Sequence, residues 1–150
     1  MQNEFSDLLD LAIYKEIASE ALYTALRDKT QDPGAGALIG ELAEEEKKHT
    51  RWLTEFKDKG AKQRWRTGVV ADLKVSEHLT AADTLQGAGL QDTLVFAMRK
   101  EQQAVEFYSR MTGVLRTQTA KRLCQKLVNE ELRHKLKLET MYDGLFLGED

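Results

Sequence analysis

The sequence predicts an all-α four-helix bundle built from two tandem helix pairs joined by a long crossover. Three observations predict it. The 150 residues are rich in Ala, Leu, Glu, Lys and Gln and hold a single proline, a composition that favours helices. Apolar residues recur at spacings of three and four in four long stretches. The chain also repeats itself. Glu16, Glu46 and His49 each stand 85 positions before Glu101, Glu131 and His134, and Ala12, Tyr23, Leu38, Leu42 and Leu53 stand at the same offset before Ala97, Tyr108, Leu123, Leu127 and Leu138. A gapless offset of this kind marks a duplicated structural unit.

The first helix is expected from Asn3 or Ser6 to Asp28, with an inner seam of Phe5, Leu9, Ala12, Glu16, Ser19, Tyr23 and Leu26. Asp32-Pro33-Gly34-Ala35-Gly36 reads as a turn. The second helix is expected from about Ala35 to Lys59, with seam Leu38, Leu42, Glu46, His49, Leu53 and Phe56 and a stop at Gly60. The third runs from about Leu90 to Gly113 over Leu90, Leu94, Ala97, Glu101, Ala104, Tyr108 and Met111. The fourth starts near Arg116 to Thr119 and reaches Tyr142 or Gly144 over Leu123, Leu127, Glu131, His134, Leu138 and Met141.

These elements predict one domain over residues 1–150, with a helix pair at 3–59, a crossover at 60–89 and a second pair at 90–144. Short links make the helices of each pair antiparallel neighbours. The crossover is too long for a tight turn and is expected to hold a short helix near Thr80 to Leu85. A long connection also permits exchange of a helix pair between two chains.

Composition narrows the function. A net charge of −3 gives no argument for nucleic acid. No apolar run reaches the ~18 residues of a membrane span, and the first residues lack the pattern of a signal peptide. Cys124 is the lone cysteine, which excludes an intrachain disulfide or a Cys-based cluster and points to a reducing, cytoplasmic setting.

The seam carries the chemistry. Four glutamates and two histidines interrupt stripes of Leu, Ala, Phe and Met. A buried unpaired carboxylate costs several kcal/mol, and four close together repel one another. A pair of cations removes both problems. Residues three apart share a helix face, so Glu46 with His49, and Glu131 with His134, each present a carboxylate and an imidazole to one metal. Glu46 and Glu131 are placed to bridge two ions, and Glu16 and Glu101 to close the shells from outside. Mixed carboxylate and imidazole ligation favours iron or manganese over zinc, so the expected load is two Fe ions, with Mn or a mixed Fe/Mn pair as the variant.

These residues resemble the rubrerythrin and ferritin-like superfamily. The first half reads Ala12-x3-Glu16-x6-Tyr23, then Glu45-Glu46-x2-His49. The second reads Ala97-x3-Glu101-x2-Ala104-x3-Tyr108, then Glu130-Glu131-x2-His134. The resemblance implies a ferritin-like bundle, in keeping with the single long crossover, and a non-haem di-iron centre. The implied activities are peroxide reduction, iron(II) oxidation and iron handling. Two departures stand out. Rubrerythrins proper carry a rubredoxin domain with paired Cys-x-x-Cys motifs, which one cysteine cannot supply, so a cycling enzyme would need an external donor such as a rubredoxin-type protein. They also carry an extra glutamate where this chain has Ala104, which brings the symmetric six-ligand set closer to ferroxidase-type centres.

The expected function is therefore a di-iron oxidoreductase that reacts with O2 or H2O2, of ferroxidase or peroxide-reducing type. The alternative is an iron-binding or buffering protein without turnover. A homodimer or higher homo-oligomer is expected. Tyr23 and Tyr108, seven residues after Glu16 and Glu101, are expected to hydrogen-bond a bridging carboxylate from the outer shell. Glu45 and Glu130 point off the seam and are assigned to solvent or ion pairs, as is Glu20 to the surface. His78 reads as a surface residue and Cys124 as a small buried hydrophobe. Lys57, Lys59, Lys62, Arg64 and Arg66 around Trp65 read as a solvated basic linker with its Trp packed on the bundle, the alternative being a docking site for an acidic redox partner or anion.

Overall fold

The computed structural model describes residues 4–59 and 89–148. The expected crossover helix near Thr80 to Leu85, the stop at Gly60, His78, and Trp65 with Lys62, Arg64 and Arg66 lie outside the described residues. Four helices are present among the described residues: α1 (Glu4–Lys29), α2 (Pro33–Lys59), α3 (Leu90–Val114) and α4 (Gln118–Phe146). Their lengths of 25 to 29 residues make rods of about 40 Å at 1.5 Å per residue.

Each helix begins where its sequence allows. In α2 the Asp32 side chain accepts a hydrogen bond from Ala35 N at 3.0 Å, and Pro33 fills the first helical position, where a missing N–H costs nothing. The turn expected at 32–36 is therefore a cap, and the helix starts two residues before Ala35. Thr117 caps α4 by accepting from Ala120 N at 3.3 Å. Gly89 has no side chain to cap α3; its carbonyl instead accepts from Thr93 N at 3.0 Å and Thr93 Oγ1 at 2.8 Å.

Side-chain pairing fixes the directions. Lys57 meets Asp10 and Lys47 meets Glu20, so α2 runs antiparallel to α1. Tyr108 bonds Glu16 and Tyr23 bonds Glu101, so α3 also runs antiparallel to α1. His49 with Glu130 and His134 with Glu45 set α2 antiparallel to α4.

The core has two apolar compartments. One holds Leu8, Leu9, Leu53, Phe107, Met111 and Leu127. The other holds Leu26, Ile39, Leu42, Leu94, Leu138 and Met141. The polar seam residues lie between them, so any group in that layer is shut off from water along the bundle axis. The expected seams are buried as read, apart from Ser19, Leu38, Phe56, Leu90 and Leu123, which are half-buried, and Phe5, whose side chain lies outside the described ones. Cys124 is buried, and burial pushes its thiol up to about 12, as suits a packing residue.

Candidate metal centre

All six residues singled out by the repeat are buried in one layer: Glu16, Glu46, His49, Glu101, Glu131 and His134 are each at most 2% exposed. One ligand atom from each of Glu16, Glu46, His49 and Glu131 falls within a 4.8 Å cluster, and the same holds for Glu46, Glu101, Glu131 and His134. Glu46 and Glu131 belong to both clusters. Glu16 belongs only to the His49 side and Glu101 only to the His134 side. Such an arrangement could hold two adjoining cations that share two carboxylates. The imidazoles stack across the layer, with ring centroids 5.5 Å apart and planes 12° apart.

Each imidazole has a different task for each nitrogen. His49 Nε2 points outward to Glu130 Oε1 at 3.4 Å, and His134 Nε2 to Glu45 Oε2 at 3.0 Å. In the neutral imidazole, the form that can ligate a metal, a proton on Nε2 donated outward leaves the Nδ1 lone pair facing inward. His49 Nδ1 lies 3.2 Å from Glu131, 3.5 Å from Glu16 and 3.7 Å from Glu46. His134 Nδ1 lies 2.9 Å from Glu46, 3.3 Å from Glu131 and 3.8 Å from Glu101.

The inward atoms have no hydrogen-bond partners of their own. Glu16 Oε2, both oxygens of Glu46, His49 Nδ1, Glu101 Oε2, Glu131 Oε1 and His134 Nδ1 are all buried without one. Buried polar groups are normally satisfied, so a convergent set of orphaned acceptors fits cations. Without cations the layer is electrostatically awkward. Burial and the charges of Glu131 and Glu16 hold the Glu46 carboxyl well above the usual range. Burial, with Glu101 and Glu16, does the same to Glu131. Burial pulls the His49 imidazole down, but its contacts with Glu131 and Glu16 more than offset this and raise it to about 10.

The tyrosines differ from expectation in their partner. Tyr108 donates to Glu16 Oε1 at 2.8 Å, and Tyr23 donates to Glu101 Oε1. These are the outer glutamates, not the shared ones, and each bond joins α1 to α3. Two helical turns span about 11 Å, so the hydroxyl cannot serve the glutamate seven residues back on its own helix and reaches the antiparallel neighbour.

Glu45 and Glu130 make the ion pairs expected of them, and the structure adds a second role to each. Glu130 is 8% exposed and is braced by Arg133 at 2.9 Å and Lys48 at 3.8 Å. Glu45 is half-buried and has Lys137 at 3.9 Å. Their inner oxygens hold the imidazoles of the opposite helix pair. A signal existed in the sequence, since the two stand at the same 85-residue offset as the ligand set.

The Rubrerythrin family model matches residues 7–142. The chain belongs to the rubrerythrin family. Among solved structures, a hypothetical protein from Pyrococcus furiosus superimposes with a TM-score of 0.71 at 24% identity, over 97% of this chain and 92% of that one; this likeness speaks for the fold. No curated protein matches the sequence significantly. Family membership suggests a di-iron protein, and the orphaned carboxylate and imidazole layer is where this rubrerythrin-family chain would hold its metal. Ala104 is buried in the apolar compartment beside the site and offers no ligand. No helix among the described residues is long and apolar enough to cross a membrane.

Proposed function

We propose that Glu16, Glu46, His49, Glu101, Glu131 and His134 hold two iron ions, and that the loaded protein reacts with O2 or H2O2 as a ferroxidase or a peroxide-reducing oxidoreductase. The observation that carries this reading is the set of buried inward-facing oxygens and Nδ1 atoms without hydrogen-bond partners. Bound iron would supply the electrons for reduction of oxygen or peroxide. The chain's own residues do the rest. Glu46 and Glu131 keep the two positions adjacent, and Glu16 and Glu101 each serve one side. Tyr108 and Tyr23 hold those outer carboxylates by their Oε1 atoms, which leaves Oε2 to face the metals. Glu130 and Glu45 fix the imidazoles with Nδ1 inward, the outer-shell arrangement that orients ligands in metal sites. The two apolar compartments exclude bulk water from both ends of the layer.

The second reading is iron binding without turnover, and it shares every ligand. The symmetric six-ligand set, with Ala104 in place of a further carboxylate, resembles a ferroxidase-type centre, and repeated peroxide reduction at it would need an outside electron donor. Metal-free protein mixed anaerobically with Fe(II) and then exposed to oxygen or peroxide separates the readings. Consumption of oxidant in proportion to bound iron, with growth of near-ultraviolet absorption, is expected. Iron that binds but consumes no oxidant would leave the carrier reading. Failure to bind iron would remove both.

A further inference from the structure

The repeat makes the ligand layer nearly symmetric, but the surfaces outside it are not. Beyond His49 lies Trp52, whose ring centroid is 5.2 Å from the imidazole's. Trp52 is half-buried, with one side against a ligand and the other at the surface. Lys126 Nζ sits 3.9 Å above its ring and Lys48 Nζ 5.2 Å from it. An open cleft of about 530 Å³ adjoins it, lined by Trp52, Phe56, Leu123, Lys59, Lys126 and Glu55 among others. Beyond His134 the equivalent of Trp52 is Lys137, and the equivalent of Lys126 is Glu41. The cleft on that side, about 410 Å³, is lined by Gly40, Glu41, Glu44, Glu45 and Lys137. Among the described residues, one face of the site is therefore aromatic and basic, and its pseudo-symmetric counterpart is acidic and has no aromatic residue.

We propose that the Trp52 face is the docking surface for an acidic one-electron carrier protein, and that the Trp52 indole is the route by which electrons reach the His49 side of the site. This rests on the iron-binding reading above. Among the described residues that line the cleft, Lys59 and Lys126 outnumber the single carboxylate of Glu55 around an apolar floor. A negatively charged carrier is attracted to such a surface, and opposite charges speed encounter without requiring a large interface. Redox encounters are typically small. The indole then supplies a continuous ring-to-ring path from the exterior to a ligand of the site. In each event the reduced carrier gives up one electron and leaves oxidised, and one ferric ion becomes ferrous. Two events restore the pair.

The test uses full-length, iron-loaded, air-oxidised protein and two reductants: reduced plant-type ferredoxin as the acidic carrier, and reduced methyl viologen as a small reductant that needs no docking. Stopped-flow absorbance reads iron reduction, and titration with oxidised ferredoxin reads binding. Wild type is expected to bind ferredoxin in a salt-sensitive manner. Lys126→Glu is expected to weaken that binding at least tenfold and leave reduction by methyl viologen unchanged. Trp52→Leu is expected to keep ferredoxin binding within about threefold while its ferredoxin-driven rate, taken relative to its own methyl viologen rate, falls at least tenfold. Arg99→Glu, an exposed site on α3, is expected to match wild type. If Lys126→Glu and Arg99→Glu behave alike, or if ferredoxin binds only a second copy of the chain's surface away from Trp52, the docking assignment is overturned. If Trp52→Leu keeps its relative rate, the route is overturned. Protein that binds no iron overturns the iron reading itself and this inference with it, whereas bound iron that methyl viologen cannot reduce overturns this inference alone.

Discussion

His134 Nε2 on α4 lies 3.0 Å from Glu45 Oε2 on α2, which joins a candidate ligand of one helix pair to a carboxylate of the other. His49 and Glu130 repeat the contact in the opposite sense at 3.4 Å. Each pair thus orients the imidazole of its partner, and neither half of the repeat completes the site alone. Glu45→Ala is expected to lower metal affinity about 10- to 100-fold. Glu44→Ala, one residue away but exposed beside Lys47, is expected to leave it unchanged. Competition against a chromophoric chelator measures both, and equal affinities for the two variants would remove the orienting role.

The tyrosine bonds predict a specific pattern of coupling. Tyr108→Phe in metal-free protein is expected to cost about 1.5–3 kcal/mol in denaturant unfolding, the range for a hydrogen bond to a charged group. In double-mutant cycles Tyr108 should couple to Glu16 and not to Glu101, while Tyr23 should couple to Glu101. Coupling of Tyr108 to Glu101 would contradict the crossed arrangement.

Neutralising a shared carboxylate should separate stability from binding. Both oxygens of Glu46 are buried without partners and its carboxyl sits among three other glutamates. Glu46→Gln keeps the shape and removes the repulsion, so the metal-free melting temperature is expected to equal or exceed that of wild type, while binding of a second metal equivalent is lost. A large drop in melting temperature would show that the acid holds the fold together by itself.

The metal-free protein should weaken as pH rises. Glu46 and Glu131 have folded-state values raised above the unfolded ones by burial and neighbouring carboxylates. His49, pulled down by burial but raised more by Glu131 and Glu16, goes from 6.5 to about 10. A raised value stabilises fully below the unfolded pKa and is lost as pH climbs through the folded one. Glu16 acts oppositely: burial works to raise it, but Glu46, His49 and Tyr108 hold it below 4.5, so its contribution is lost only in acid. Between pH 6.5 and about 10 the melting temperature of metal-free protein is expected to fall. Metal binding displaces the same protons, so affinity should rise over that window, and loaded protein should not show the decline. Calorimetry across pH on both forms checks this, and parallel curves would refute it.

The four helices, their seams and the six candidate ligands were legible in the sequence because burial and helical period are local properties. Leu42, Glu46, His49 and Leu53 fall on one stripe whatever packs against it. The caps were less legible. Asp32 and Pro33 read as a turn, yet they start α2, because the residues that break one helix also begin the next.

What sequence alone determined is which side chains face inward and that they come as two equivalent sets. What only the tertiary structure decided is who meets whom. Glu45 and Glu130 lie off the seam of their own helices, and their role appears only when α2 and α4 run antiparallel within reach of the opposite imidazole. Tyr108 finds Glu16 and not Glu101 for the same reason. Spacing along a helix fixes direction around its own axis; partners across a bundle depend on the pairing of helices 78 to 92 residues apart in the chain, which no local pattern encodes.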